Sequence, residues 1–516
     1  MNSRPWISWG LLVALFIAAS PAQAGWARFA LVIGYNQADD PQLSPLRYAD
    51  DDAVKYSELF GYMAERTLLL TELDADTRRT LGPRLVHAPT RHNVLAALTE
   101  LRRKMDDARA RGDKPILYFV YSGHGNYDKS GRGYVHLADG RWTTKDIYFH
   151  VLGPSAKDMD NYHVVLMVDA CNAALLVNSR GSGLRRSKGT SLKLERYPNV
   201  GVVLSSSSVG EVHEWGRYLS GIFSHEVRSG LLGAADLNDD RKVTFTEIAA
   251  FVHNANMAIK NSTYRIKPYI RPPLSAPNLP LMTMDDARFP AQVRIEKGFS
   301  GKAHLVDSEL MRYADFHKSD KNAFWLGVPG DAGFAVVRGN TEYVVPKGAT
   351  GRLTISGLEV RPRSKMAARG VSDYFEERLF ARPHVEQDAQ EWLKRDYTDS
   401  LVVERLQTLP WYQNKGAWGL LGGGLASLGT GVAMSVLAYQ AQSDAKNASW
   451  FNEKQTFNQL ALRNETIAGV LYGVGGAATL GSILWFVLEE EFKVVRYQPP
   501  FDVVVTPGGV TLKATF

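Results

Sequence analysis

Four short apolar runs punctuate the first half of the chain, at 29–34, 116–121, 164–170 and 200–204, and each stops at small or turn-forming residues. They are rich in valine, isoleucine and aromatics and too short for helices, so they predict buried strands. Between them lie stretches with apolar residues at helical spacing, at 46–60, 91–108, around 220–230 and at 246–259. The first of these carries Asp50, Asp51 and Asp52 in its opening turn, where acids stabilise a helix by about 0.3–1 kcal/mol. Strands alternating with helices predict an α/β unit over residues 25–270, a mainly parallel sheet with helices on both faces.

Beyond residue 270 the pattern changes. Prolines crowd 271–290, which reads as a linker, and 291–360 alternates short β-like runs with glycine turns, which predicts a small β module. Residues 361–416 are charged and helix-compatible, a stalk more than a core. Two uncharged apolar segments follow, 417–439 and 467–488, separated by a polar loop at 440–466 and trailed by a tail at 489–516. Each exceeds the ~20 residues a helix needs to cross a bilayer. Both carry small residues at four-residue spacing, Gly419, Gly423, Ser427, Gly431 and Ser435 in the first and Gly469, Gly473, Ala477 and Gly481 in the second. Such faces permit close packing in lipid, so a two-helix transmembrane hairpin is expected, with oligomerisation through the same faces as a further option. At the other end, an apolar stretch and Ala22-Gln23-Ala24 before Gly25 fit a cleavable signal peptide over 1–24.

Composition alters this picture in one respect. The chain of 516 residues has a net charge of +6, too thinly spread to suggest nucleic acid, and a single cysteine, Cys171. In an exported protein an unpaired cysteine cannot be a structural disulfide of its own chain. Cys171 follows the run 164–170, and the run 116–121 ends in Ser122-Gly123-His124-Gly125. The carboxyl ends of parallel strands are where open α/β sheets hold catalytic groups. A thiol with pKa ~8.5 needs a neighbouring base to become a nucleophile, and His124 is the candidate.

With the residues before Gly34, the stretch 46–53, Tyr121–Gly125, Val168–Cys171 and Gly221-Ile222-Phe223-Ser224-His225, the order of motifs resembles caspase-like cysteine peptidases (peptidase C14), particularly the metacaspase-like bacterial branch. The resemblance covers roughly half of the chain and implies a caspase-like fold. It also implies that the backbone N–H groups of Gly125 and Cys171 hold the oxyanion, and that Asp52 and Asp169 accept arginine or lysine before the scissile bond. A carboxylate pair suits a guanidinium through bidentate hydrogen bonds. Asp51 stands where the metacaspase pattern usually has asparagine. The competing preference for acidic substrates would use Arg47, whose spacing to Asp52 is one residue short of the caspase pattern. The loop 178–199 is rich in glycine, serine and basic residues, so Arg180, Arg185 and Arg186 are candidate self-cleavage points.

One further motif lies at 236–247. Asp236, Asn238, Asp240, Thr244 and Glu247 place oxygen donors as in an EF-hand loop, which raises a calcium site, although Arg241 sits where that loop needs glycine. The chemistry itself requires no cofactor. The sequence therefore reads as a membrane-tethered cysteine endopeptidase acting on proteins or peptides, anchored in the inner membrane with the peptidase in the periplasm. The alternative is a non-catalytic membrane scaffold or signal transducer that keeps the fold for protein binding.

Overall fold

The computed structural model describes residues 25–41, 43–128, 131–177, 194–206, 214–261, 264–330, 332–363, 374–393, 404–408, 415–488, 492–496, 501–506 and 509–514. The segment expected as a signal peptide and the candidate self-cleavage arginines Arg180, Arg185 and Arg186 lie outside them. The chain divides into two compact units, 1–401 and 402–516.

The first unit is built on six strands: β1 (Trp26–Tyr35), β2 (Arg66–Thr71), β3 (Lys114–Gly123), β4 (His163–Asp169), β5 (Val200–Ser206) and β6 (Lys267–Arg271). They lie in the order β6-β5-β4-β3-β1-β2. Every neighbouring pair is parallel except β6, which runs against β5. A parallel sheet must be covered on both faces, and the alternation along each strand divides its residues between two cores. Ala30, Val32, Tyr118 and Val120 face helices α1 (Ala49–Met63), α3 (Ile222–Ser229) and α4 (Phe245–Ala255). Leu31, Ile33, Phe119 and Tyr121 face α2 (Arg91–Ala110), which buries Val94, Leu98, Leu101 and Met105. Each such side chain contributes about 1.5–3 kcal/mol through burial. The mainly parallel α/β arrangement expected from the alternation is the one observed.

Helix starts explain how the elements are held. Thr90 accepts a hydrogen bond from the Asn93 backbone N–H at 3.2 Å and caps α2. Helix α1 has no cap of its own, and distant residues supply it. Asn36 accepts from the N–H of Ala49 at 2.8 Å, and Glu214 accepts from the N–H groups of Arg47 and Tyr48 at 3.0 and 2.8 Å. Gly34, at the end of β1, brings the helix in closely, since a Cβ there would lie 2.3 Å from the Ala49 carbonyl oxygen.

The stretch after 270 is more deeply integrated than its composition suggests. Within the proline-rich segment, Pro280–Thr283 pairs with Lys242–Thr244, and Leu281 and Met282 are buried. The β module consists of β7 (Ala291–Ile295), β8 (Gly301–Asp307), β9 (Arg312–Lys318), β10 (Phe324–Val328), β11 (Phe334–Arg338), β12 (Thr341–Val345), β13 (Gly351–Thr354) and β14 (Glu359–Pro362). They form two sheets, β10-β7-β13 and β9-β8-β11-β12-β14. Their inward residues, including Val293, Leu305, Phe316 and Leu326, belong to the same hydrophobic core as α1, α3 and α4. The charged stretch expected as a stalk also packs back onto this unit. Leu379 and Phe380 are fully buried, and the helix Glu386–Leu393 meets α4 through Asn254, whose amide donates to Asp388 at 2.9 Å. Scattered apolar residues, Leu379, Phe380 and Trp392, suffice to pin a segment that is polar on average.

In the second unit, helices α5 (Lys415–Asn447) and α6 (Phe451–Leu488) pack against each other. Both are long and apolar enough to cross a membrane. They continue through the stretch expected as a polar loop, leaving only residues 448–450 as the turn. That stretch contains neither glycine nor proline, so nothing in it stops a helix. Ser427 donates to the Leu471 carbonyl at 3.0 Å, Ser435 and Tyr472 share a hydrogen bond of 3.0 Å, and Gly475 meets the Gly424 backbone. The first seam thus uses Ser427, Gly431 and Ser435 as expected. It takes Gly424 in place of Gly419 and Gly423, and the partner seam runs through Tyr472, Gly475, Thr479 and Ser482. Strands Glu404–Thr408 and Phe492–Arg496 pair, as do Phe501–Thr506 and Gly509–Ala514.

Candidate active site

Strand register brings the histidine and the cysteine together. Strands β3 and β4 are parallel neighbours, and Ser122 stands opposite Asp169. His124 and Cys171 each come two residues after that pair, so both leave the same sheet edge just beyond the ends of the two strands. Gly125 brings the two segments into contact. A Cβ there would lie 2.4 Å from the Cys171 carbonyl oxygen and 3.0 Å from the Ala170 methyl. Beyond β4 the chain turns tightly: the Ala173 N–H donates to the Ala170 carbonyl at 3.3 Å, and Asn172 takes a left-handed φ of 58°. Asparagine tolerates that conformation better than most residues, and the turn presents Cys171 at the strand's end.

The histidine ring is oriented by a loop from the other side of the site. Its Nε2 lies 3.1 Å from the backbone oxygen of Ser44. A carbonyl oxygen can only accept, so Nε2 carries the proton and Nδ1 keeps its lone pair. Burial lowers the His124 pKa below its ordinary value, against the opposing effect of the Ser44 hydrogen bond. The ring is therefore neutral at pH 7 and suited to accept a proton. The second imidazole nearby, His136, meets it edge-on at 6.2 Å and is itself held by Asp39 at 2.6 Å.

The three aspartates of α1 part company. Asp50 accepts from the Asn36 amide at 2.7 Å and from the Asp74 N–H at 2.8 Å, and Asp51 accepts from the Thr77 hydroxyl at 2.8 Å. Both brace the fold. Asp52 points to the site edge, where it accepts from the Gly221 N–H at 2.9 Å, from the Ser220 hydroxyl and from the Arg228 guanidinium at 2.7 Å. Asp169 accepts from the N–H and hydroxyl of Ser224 at 3.1 and 2.7 Å. Gly221 sits between the two carboxylates: a Cβ there would lie 2.8 Å from Asp169 and 3.1 Å from Asp52. Burial, and then the neighbouring Asp52, push the Asp169 carboxyl up to about 7. Arg47 stands elsewhere, exposed, with its guanidinium 5.4 Å over the Tyr48 ring.

Sequence reasoning thus brought out His124, Gly125, Cys171, Asp52 and Asp169, and the structure gathers all five at one sheet edge. It missed Ser44, Ser220 and Arg228 and gave no role to Ser224. The only sequence signal for these was the motif at 221–225, whose serine four residues before Arg228 shares a row of α3.

The loop at 236–247 uses its own donors. Asp236 accepts from the N–H groups of Asp239 and Arg241 at 2.8 and 3.0 Å, Asn238 from that of Asp240, and Asp240 from that of Lys242. Glu247 and Thr244 form a capping box that starts α4. Arg241 takes the left-handed φ of 63° that glycine would take at that position. Burial, and then the nearby Glu247 carboxylate, push Asp236 up to about 7. Among the described residues no three acidic, histidine or cysteine side chains converge as a metal-binding group.

Residues 27–270 match the family model of the caspase domain, peptidase C14. Among solved structures, the chain is similar to caspase-1 from Spodoptera frugiperda, at 10% identity and a TM-score of 0.30 over 48% of this chain and 88% of that one. It is also similar to the Drosophila initiator caspase Dronc, at 11% identity and a TM-score of 0.28 over 53% and 92%. No curated relative matches the sequence.

Proposed function

We propose that this chain, whose residues 27–270 match the family model of the caspase domain, is a cysteine endopeptidase in which Cys171 is the nucleophile and His124 its base. The observation that supports this most is the shared register of β3 and β4, which sets the two residues at matching positions on one sheet edge. The Cys171 thiol passes its proton to His124 Nδ1, and the sulfur forms a bond to the scissile carbonyl carbon. The oxyanion is met by the backbone N–H groups of Gly125 and Cys171, a contribution of roughly 10²-fold or more per donor. His124 returns the proton to the leaving amine as the C–N bond breaks, and water then hydrolyses the thioester.

Asp169 and Asp52 supply the preference for arginine or lysine before the scissile bond. Asp52 is already matched by Arg228, so Asp169 makes the principal contact with the incoming cation and Asp52 shapes the pocket beside it. Cleavage after Arg180, Arg185 or Arg186 in the chain's own basic loop is consistent with that preference. The two apolar helices tether the chain to a membrane, with the peptidase on the periplasmic side.

Hydrolysis of fluorogenic peptides by the purified chain tests the reading, with Cys171→Ala and His124→Ala alongside. Both variants should lose at least 10³-fold in kcat/KM, and equal rates in all three proteins would remove the peptidase assignment.

A further inference from the structure

The segment 217–229 has two sets of partners. Toward the sheet edge, Ser220, Gly221, Ser224 and Arg228 hold Asp52 and Asp169. Toward the β module, the next row of α3 is tied to β9. His225 Nε2 lies 2.9 Å from the Asp315 carboxylate, and the Asp315 backbone N–H donates to the Ser229 hydroxyl at 3.0 Å. Residues 224 and 228 form one row of the helix, and 225 and 229 the adjacent one. A displacement of the second row therefore moves the first.

The anchor is an ionic network that is buried at Asp315 and Arg312 and reaches the surface at Arg217. Asp315 is fully buried and also pairs with Arg312 at 3.0 Å, and Arg312 reaches Glu376 at 3.1 Å. Glu376 pairs with Arg217 at 2.8 Å, at the start of the same segment. The Tyr218 ring stacks on His225 at 3.6 Å, and the Tyr218 carbonyl accepts from Lys55 of α1 at 3.0 Å. Buried charges that lose a partner are costly, so this network resists any shift that would separate them.

From this arrangement we infer that Asp315, acting through His225 and α3, is a positioning residue for the substrate pocket, which makes the β module an intramolecular part of the peptidase's selectivity. The inference rests on the peptidase reading with Asp52 and Asp169 as selectors. Asp315 touches neither substrate nor the reacting atoms. Its removal should loosen recognition of the cationic residue and leave the thiol's own reactivity intact.

The test uses the full chain in detergent and three probes of Cys171: an arginyl peptide acyloxymethyl ketone, its norleucyl counterpart and iodoacetamide. In the wild type the arginyl ketone should label faster than the norleucyl one. Asp315→Asn should lower the arginyl rate about tenfold, within the range a small misplacement of a binding group produces. The norleucyl and iodoacetamide rates should stay within twofold. Retention of the wild-type arginyl preference in Asp315→Asn overturns the inference while leaving the peptidase reading intact. A wild type that reacts with iodoacetamide and with neither ketone overturns the peptidase reading itself, and the inference with it. Should Asp315→Asn fail to fold, the comparison is read in Glu376→Gln, which weakens Arg312 from the outer side of the network. A two- to threefold fall in arginyl preference supports the inference there, and an unchanged ratio overturns it.

Discussion

Replacing Gly125 by alanine adds one methyl group where the backbone of Cys171, the proposed nucleophile, lies. The new Cβ would stand 2.4 Å from the Cys171 carbonyl oxygen and 3.0 Å from the Ala170 methyl, whereas ordinary contact begins near 3.4 Å. Backbone conformation is no obstacle, because Gly125 is not among the residues with positive φ. The clash is purely one of space, and relieving it requires about 1 Å of movement between the ends of β3 and β4. A misplacement of ~1 Å at a reacting group costs about 10²-fold in rate, equivalent to roughly 2.7 kcal/mol of transition-state stabilisation. The stability penalty of overpacking is about 1–3 kcal/mol, partly offset by the ~0.4–1 kcal/mol that glycine-to-alanine substitution gains through the unfolded chain.

Gly125→Ala should therefore remain folded and lose about a hundredfold in kcat/KM. Steady-state hydrolysis of an arginyl peptide, with chemical denaturation as the folding control, measures both. If the variant hydrolyses the peptide within threefold of the wild type, the inferred contact between the two strand ends is wrong. If the loss of activity merely follows the loss of folded protein, Gly125 acts on stability alone.

Three further outcomes follow from the same geometry. With its pKa near 7, Asp169 is largely neutral at pH 6 and charged at pH 8, so KM for arginyl substrates should fall as pH rises through about 7. Asp169→Asn should abolish that limb, and an identical profile in the variant would exclude Asp169 as selector. Linkage runs the other way for folding: a carboxyl raised on folding contributes fully below its unfolded pKa of about 4, and the contribution is lost as pH rises to about 7. Calcium titration of the purified chain by calorimetry tests the 236–247 loop: a saturable heat that is lost in Asp236→Asn supports a site there, and a flat titration removes it. In the helix hairpin, Gly475→Leu should separate α5 from α6, since even a Cβ there would lie 2.8 Å from the Gly424 carbonyl oxygen. Cross-linking of Ser427→Cys with Leu471→Cys in a Cys171→Ala background should be lost with that substitution, and unchanged cross-linking would refute the seam.

What the sequence made legible was local. Runs such as 116–121 and 164–170 are apolar because a parallel sheet is buried on both faces, and their ends are marked by Gly123, Gly125 and Cys171. The placement of His124 and Cys171 at one sheet edge could be read because each follows the end of its own strand. The integration of the β module was not legible. Its strands alternate like those of any half-buried sheet, and nothing in that alternation says that the covering surface is α3 and α4. The charged stretch before residue 393 was obscured in the same way, since Leu379, Phe380 and Trp392 are too sparse to register as a pattern, yet each is buried.

The pocket shows where the boundary between the two kinds of information falls. Asp52 and Asp169 could be picked out because each belongs to a motif at the start of a helix or the end of a strand. The groups that set their chemistry are far away in sequence: Arg228 reaches Asp52 from 176 positions further on, and Ser224 reaches Asp169 from 55. A carboxylate's identity is written locally, but its pKa and direction are fixed by whichever segment folds against it. Here that segment is 217–229, and the same segment is tied to Asp315 and Glu376 in a region with no motif of its own. A fragment ending near residue 270 would keep every motif residue while losing the partners of His225 and Arg217. The smallest unit to assay for the proposed peptidase activity accordingly extends through residue 393, even though His124 and Cys171 lie within the first third of the chain.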